Sequence, residues 1–221
     1  MRQLAWTGLL ILGVAALPVT WAAALAPGSP ALSLSLLIQP IPFAAVGVLV
    51  YARRPESLVV RRLMAVCAFV PMAVAAAALL ERVAGNTDAG LAWAVVMAQH
   101  ATVVGFGLAI VGLLAIFPTG TYETPFERAI VRLAALSLLL IPLVALVNDP
   151  LPAPQTESPL PSIHNPLAIA GLAPLAPLIA GALQTILLLW LPAIALVVLR
   201  YQRSDAERRR QMRWPLFAVL L

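Results

Sequence analysis

LAWAVVMAQHATVVGFGLAIVGLLAIF, residues 91–117, contains no Asp, Glu, Lys or Arg. At about 1.5 Å of helical rise per residue, an apolar run of about 20 residues crosses the roughly 30 Å hydrocarbon core of a bilayer. Inside lipid only a helix satisfies its own backbone within one such segment. The stretch therefore predicts a transmembrane α-helix, and five further apolar runs predict the same. These are Leu4 to Leu25, Leu34 to Ala52, Leu63 to Leu80, Ala129 to Val147 and Leu175 to Leu199. A seventh apolar run starts at Trp214 and stops at Leu221, too short to span. The expected fold class is all-α: a polytopic membrane helix bundle of six transmembrane helices plus the start of a truncated seventh. The whole chain, 1–221, reads as one transmembrane domain with no soluble domain.

The charges set the orientation. All fourteen cationic side chains are Arg, and all but Arg82 fall in segments on one side of this map. They are Arg2, the Arg53/Arg54/Arg61/Arg62 group, Arg128/Arg132 and the cluster from Arg200 to Arg213. Cytoplasmic loops retain such charges because they resist translocation. The amino terminus is thus expected in the cytoplasm, with the chain multi-pass in the membrane. Basic residues confined to loops face lipid, so the net charge of +5 is not a sign of nucleic-acid binding.

Composition agrees. The chain is 62% hydrophobic and 10% charged, against about 25% charged in a soluble domain. Its mean hydropathy is +0.97. The single Cys67 lies in an apolar run and reads as a small buried side chain. A signal-peptide reading of the first run rests on Arg2 and the Ala22-Ala23-Ala24-Leu25-Ala26 site, but that run is longer than a typical signal core. Pro40, Pro42, Pro142 and Pro192 lie inside predicted spans and predict kinks. The largest outer connection, Asn148 to Pro174, carries seven Pro. It reads as a connector, or as an ordered cap that senses a ligand.

Chemistry-bearing motifs are few. None of the six runs has a charged residue at its middle, where ion-coupled transporters place one. Metalloprotease, nucleophile-elbow, phosphate-loop and CxxC patterns are missing from the sequence. No catalytic residue, cofactor or metal site is therefore expected. His100 is the one titratable side chain well inside a span, and with Gln99 it makes the candidate ligand pair. A hydrogen bond to a helix is the plainer role for such groups. His164, in the outer loop, has no second ligand nearby. Ala94, Ala98, Ala101, Gly105, Ala109 and Gly112 recur at helical spacing and predict a smooth face for close helix packing.

Several short pieces carry a resemblance. Tyr51-Ala52-Arg53-Arg54-Pro55 with Arg62-Leu63-Met64 is one, and Phe117-Pro118-Thr119-Gly120 another. Asn165-Pro166-Leu167 and the run from Glu207-Arg208 through Gln211-Met212-Arg213-Trp214 complete the set. In this order they resemble the N-terminal transmembrane input domain of actinobacterial two-component sensor histidine kinases. Those domains carry an RRP turn, a fourth span ending in LLFPDGR, an outer NPLG stretch, and an ERQQL-K/R-W run. Here Thr119 and Thr121 replace the Asp and Arg of the FPDGR turn, Ala168 replaces Gly, and the last run is one residue longer.

The resemblance implies a sensory membrane domain that relays a signal to a cytoplasmic kinase core missing from this chain. It also implies a homodimer through the full-length protein and a response regulator as partner of that core. The other reading is a stand-alone polytopic membrane protein such as a transporter or permease subunit. For the relay, Arg203, Asp205, Glu207 and Arg209 permit i,i+4 pairs, Arg203 with Glu207 and Asp205 with Arg209. With neither Gly nor Pro before Pro215, the sixth helix is expected to run on to about Arg213.

Overall fold

A computed structural model describes residues 2–25, 38, 40–83, 89–136, 140–149, 165, 167–188, 190–206 and 209. Among them the chain is helical, with no strand. Four helices make the first half: α1 Arg2–Leu25, α2 Pro40–Arg53, α3 Leu58–Val83 and α4 Ala89–Leu114. Four shorter ones follow: α5 Pro125–Leu136, α6 Leu140–Val147, α7 Ala176–Leu187 and α8 Trp190–Arg203, with a 3-10 turn at Ala170–Leu175 ahead of α7.

Among the described residues, three stretches are long and apolar enough to cross a membrane: Leu4–Ala23, Leu58–Leu80 and Trp93–Leu114. This is fewer than the six expected. Within the fifth expected span the described residues form α5 and α6, and 137–139 lie outside the described residues. The sixth is interrupted at Leu188, where Leu188 N–H and Leu191 N–H bond the carbonyls of Thr185 and Leu188 in i→i+3 turns. In the second, described helix α2 has 14 residues.

Proline lies early in each of these shorter described helices. Pro40 and Pro42 lie in the first turn of α2, Pro142 in that of α6, and Pro192 in that of α8. A first turn has no intrahelical acceptor for its N–H groups, so proline costs little there and starts a helix instead of bending one. The prolines inside long helices are Pro18 in α1 and Pro71 in α3.

Helix α3 is the axis of the first half, with α1, α2 and α4 packed around it. Lipid gives little hydrophobic drive between helices, so close approach at small residues holds such bundles. A Cβ on Gly13 would meet the Ala68 backbone at 2.7 Å, and one on Gly47 would meet Cys67 at 3.0 Å. The Phe69 ring of α3 lies against Gly105 of α4, 2.5 Å from where a Cβ would stand. The small face of α4 is thus used unequally: Gly105, Ala109 and Gly112 are buried, while Ala94, Ala98 and Ala101 are exposed. In the second half, Val111 and Leu114 of α4 pack with Ile130 and Ala134 of α5 and Ala193 and Val197 of α8. Large apolar side chains such as Ile11, Leu12, Leu49, Leu178 and Leu191 are exposed, as on a surface that meets lipid.

The contacts bring like ends together. Thr7 meets the Tyr51 hydroxyl, Arg62 lies on Gly112, and Arg200 reaches Phe117 and Glu127. At the opposite end Trp93 meets Asn165, which is tied to Ala145 and Asn148. The Arg-bearing ends of the helices therefore gather at one pole of the bundle.

Candidate functional site

The Arg-rich pole holds the most structured polar site. It begins with the sequence Thr124-Pro125-Phe126-Glu127, a capping box with proline at the first helical position. Glu127 Oε2 accepts from the N–H groups of Glu123 at 2.6 Å and Thr124 at 3.1 Å. Thr124 Oγ1 accepts from the Glu127 N–H at 3.3 Å. These bonds start α5. The helix then buries Ile130, Val131 and Ala134 and leaves Arg128, Arg132 and Leu133 exposed, the i, i+3, i+4 pattern of a half-buried helix.

Arg200, in the last turn of α8, enters from the other side. Its Nη2 stands 2.7 Å from Glu127 Oε1 and donates to the Ala115 carbonyl at 2.7 Å. Nη1 donates to the Phe117 carbonyl at 2.7 Å. Those two carbonyls lie just past the end of α4, where the helix dipole is negative and no intrahelical donor remains. One guanidinium thus completes the end of α4 and neutralises the carboxylate that opens α5. Arg200 Nε is buried without a hydrogen-bond partner, and Glu123 Oε2 lies 3.6 Å away.

Burial alone would raise the Glu127 pKa. The hydrogen bond from Arg200, those from Thr124 and Glu123, and the charge of Arg200 outweigh it and hold the carboxyl below its ordinary value of 4.5. The connecting turn is closed by Gly120, whose N–H bonds the Ile116 carbonyl at 2.7 Å and whose φ of +80° favours glycine. Thr119 and Thr121 bond each other across it, Thr119 Oγ1 donating to the Thr121 carbonyl at 3.3 Å. A cleft of about 150 Å³ opens beside the junction, between Thr119 and Glu123 on one wall and Leu196, Arg200 and Arg203 on the other.

At the opposite pole, Asn165 is buried and tied on every side. Its Oδ1 accepts from Trp93 Nε1 at 2.9 Å and from the Leu167 N–H at 3.1 Å. Its Nδ2 donates to the carbonyls of Ala145 and Asn148. Its own N–H bonds Asp149 Oδ1 at 3.0 Å. Asn165 therefore ties the end of α6 to the start of α4.

The residues expected from sequence to bind or relay are placed otherwise. Gln99 and His100 are adjacent on α4 and point about 100° apart. His100 Nδ1 donates to the Val96 carbonyl at 2.9 Å, within its own helix. Gln99 Oε1 is buried with no partner. His164 and Glu207 lie outside the described residues, so the Arg203–Glu207 pair does too.

The continuous relay helix is corrected. Helix α8 ends at Arg203, and the chain bends at Ser204. Ser204 Oγ donates to the Arg200 carbonyl at 2.6 Å and Ser204 N–H bonds the Tyr201 carbonyl, so local bonds compete with helix continuation. A new helical turn follows, closed by Arg209 N–H on the Asp205 carbonyl at 2.9 Å. The Arg209 side chain folds back, donating to the Gln202 carbonyl at 2.9 Å and lying 6.0 Å above the Tyr201 ring.

The Arg200–Glu127 junction was missed in the sequence reading, although the Thr-Pro-Phe-Glu box was a legible signal for half of it. Among the described residues no group of three His, Cys, Asp or Glu could hold a metal ion. No family model matches the chain, and no curated protein or solved structure is significantly similar to it.

Proposed function

We propose that this chain is the membrane input domain of a bacterial sensor histidine kinase, multi-pass in the plasma membrane with its Arg-rich pole in the cytoplasm. Its output passes to a kinase core in the full-length protein, which acts as a homodimer on a response regulator. The observation that carries the reading is the Arg200 junction. Helix α8, which leads into the Arg-rich tail, is clamped by a buried ion pair to the Phe117-Pro118-Thr119-Gly120 turn and α5. An input domain needs such a defined mechanical link between its bundle and the chain that leaves it. A movement of α4 or α5 would reach the tail through that link.

The interruption at Leu188 between α7 and α8 favours a second reading, a transporter or permease subunit, since discontinuous helices often frame substrate sites. The described residue at that interruption, Leu188, supplies no polar group for a substrate. We therefore rank the sensor first.

The test is the reading frame past Leu221 together with the activity of its product. A helical segment with a phosphorylatable His, followed by ATP-binding boxes, is expected, and the purified protein should label from ATP. A reading frame that closes soon after Leu221 would reject the proposal. Orientation is checked separately. Cysteine at Ser57 should resist an impermeant thiol reagent in intact cells, while cysteine at Ser158 should react.

A further inference from the structure

Arg62 lies one turn into α3, with its guanidinium laid on Gly112 of α4. A Cβ at position 112 would stand 2.9 Å from Nη1 and 3.1 Å from Cζ, so glycine is what makes the seat. Arg62 Nε is buried with no hydrogen-bond partner, and no carboxylate pairs with the side chain among the described residues. Its neighbours are provided for differently: Arg61 Nε donates to the Pro55 carbonyl at 2.6 Å, and Arg200 has Glu127. The next turn inward is dry, with Ala65, Val66 and Ala109 packed against Trp6, Leu9 and Leu113. A guanidinium does not escape this by losing its proton. A half-buried cation without an acceptor is costly, and none of the described residues supplies one.

The depth indicates which acceptor. The apolar stretch of α3 starts at Leu58 and that of α4 ends at Leu114, so Arg62 lies about one helical turn, and Gly112 about half a turn, inside the end of the bundle. That is near the level of lipid phosphates, and basic pockets between spans on the cytoplasmic side bind anionic headgroups. A guanidinium takes two phosphate oxygens side by side. Arg53 and Arg54 are exposed at the same pole and add to the attraction.

We propose that Arg62, seated on Gly112, holds the phosphate of an anionic phospholipid between α3 and α4. The shared chemistry is a phosphate on a guanidinium, and free phosphate is the other source of it.

The chain is placed in phosphatidylcholine nanodiscs with and without phosphatidylglycerol, and in phosphatidylcholine nanodiscs with inorganic phosphate. Lipid retained per chain is counted by native mass spectrometry, and the thermal midpoint is recorded. Phosphatidylglycerol is expected to raise the midpoint and be retained, and R62Q to lower retention about fivefold. R53Q/R54Q should retain the lipid nearly as well as the unmodified chain. G112A keeps every charge but displaces the guanidinium, and should lose retention like R62Q, which covers the case in which R62Q does not fold. Equal retention by R62Q or by G112A overturns the site. Equal loss in R53Q/R54Q shows diffuse attraction and overturns it too. A midpoint raised by inorganic phosphate and not by phosphatidylglycerol overturns the lipid as occupant.

Discussion

Arg200 Nη2 stands 2.7 Å from Glu127 Oε1, and the two side chains are only 7% and 2% exposed. The pair joins two helix ends that lie far apart in the chain. Removing one partner of such a pair leaves a buried, uncompensated charge and costs roughly 3–5 kcal/mol, whereas removing both costs much less. Arg200→Leu alone should sharply lower the thermal midpoint in detergent. Arg200→Leu with Glu127→Leu should recover much of the loss. If the two single losses simply add in the double variant, the pair is not coupled and the clamp is refuted.

The same carboxylate sets a pH dependence. Its folded pKa is lowered from the ordinary 4.5. Its stabilising contribution is therefore fully present above about 4.5 and is lost as the pH falls from there through the lowered folded value. The unmodified chain should lose midpoint across that acid window, and Glu127→Gln should lose less over the same range. Parallel midpoint curves for the two proteins would show that Glu127 carries none of the acid sensitivity.

Much of the helical class and the shared pole of the Arg-bearing segments were legible because both follow from one-dimensional patterns. Hydropathy gave apolar runs, and Leu4–Ala23, Leu58–Leu80 and Trp93–Leu114 are long apolar helices. What a hydropathy window does not see is where a run breaks. Pro192 lies inside an apolar stretch yet falls in the first turn after the interruption at Leu188, and only its position relative to a first turn distinguishes a start from a kink. The junction was half legible. Thr124 and Glu127 have capping-box spacing, but Arg200 lies 73 positions from Glu127, and a charge that far off reads as one more topology signal. Asn165 was noticed only as part of a short motif. Its four side-chain bonds depend on a return of the chain that no local pattern encodes.

Gly105 is covered by the Phe69 ring, which lies 2.5 Å from the position of a Cβ. Gly105→Leu must therefore push α3 and α4 apart or expel the ring, and overpacking of this kind costs typically about 1–3 kcal/mol. Phe69→Ala with Gly105→Leu should restore part of the loss, because the ring vacates the space. An unchanged midpoint for Gly105→Leu, with normal expression, would mean that the two helices do not touch there.

The knot at Asn165 separates its donor from its acceptor. Asn165→Asp keeps an acceptor for Trp93 but removes the Nδ2 bonds to the Ala145 and Asn148 carbonyls. Trp93→Phe removes only the indole donor. A buried group left unsatisfied costs about 1–3 kcal/mol. Asn165→Asp should thus be the more destabilised of the two in a detergent melt, and hydrogen exchange at Leu167 to Ile169 should rise with it. The reverse order would put the weight of the knot on Trp93.

Arg209 decides between two ways of passing a signal out of α8. A rigid helix running to Arg213 would transmit movement without help from its side chains. Here the helix ends at Arg203, and the next turn is held to it by Arg209, through the Gln202 carbonyl and the Tyr201 ring. The bend at Ser204 would otherwise be a free joint. If the proposed sensor reading holds, Arg209→Ala in the full-length protein should uncouple the bundle from the kinase as fully as two Gly inserted between Asp205 and Ala206. Arg209→Lys, which keeps a donor and a cation, should uncouple it less. Membrane insertion should be normal in all three. The readout is autophosphorylation in membrane vesicles, with Arg200→Leu as a reference for a broken junction. Wild-type phosphorylation in Arg209→Ala, with a defect only in the Gly insertion, would mean that chain continuity passes the signal and that Arg209 serves merely to fix topology.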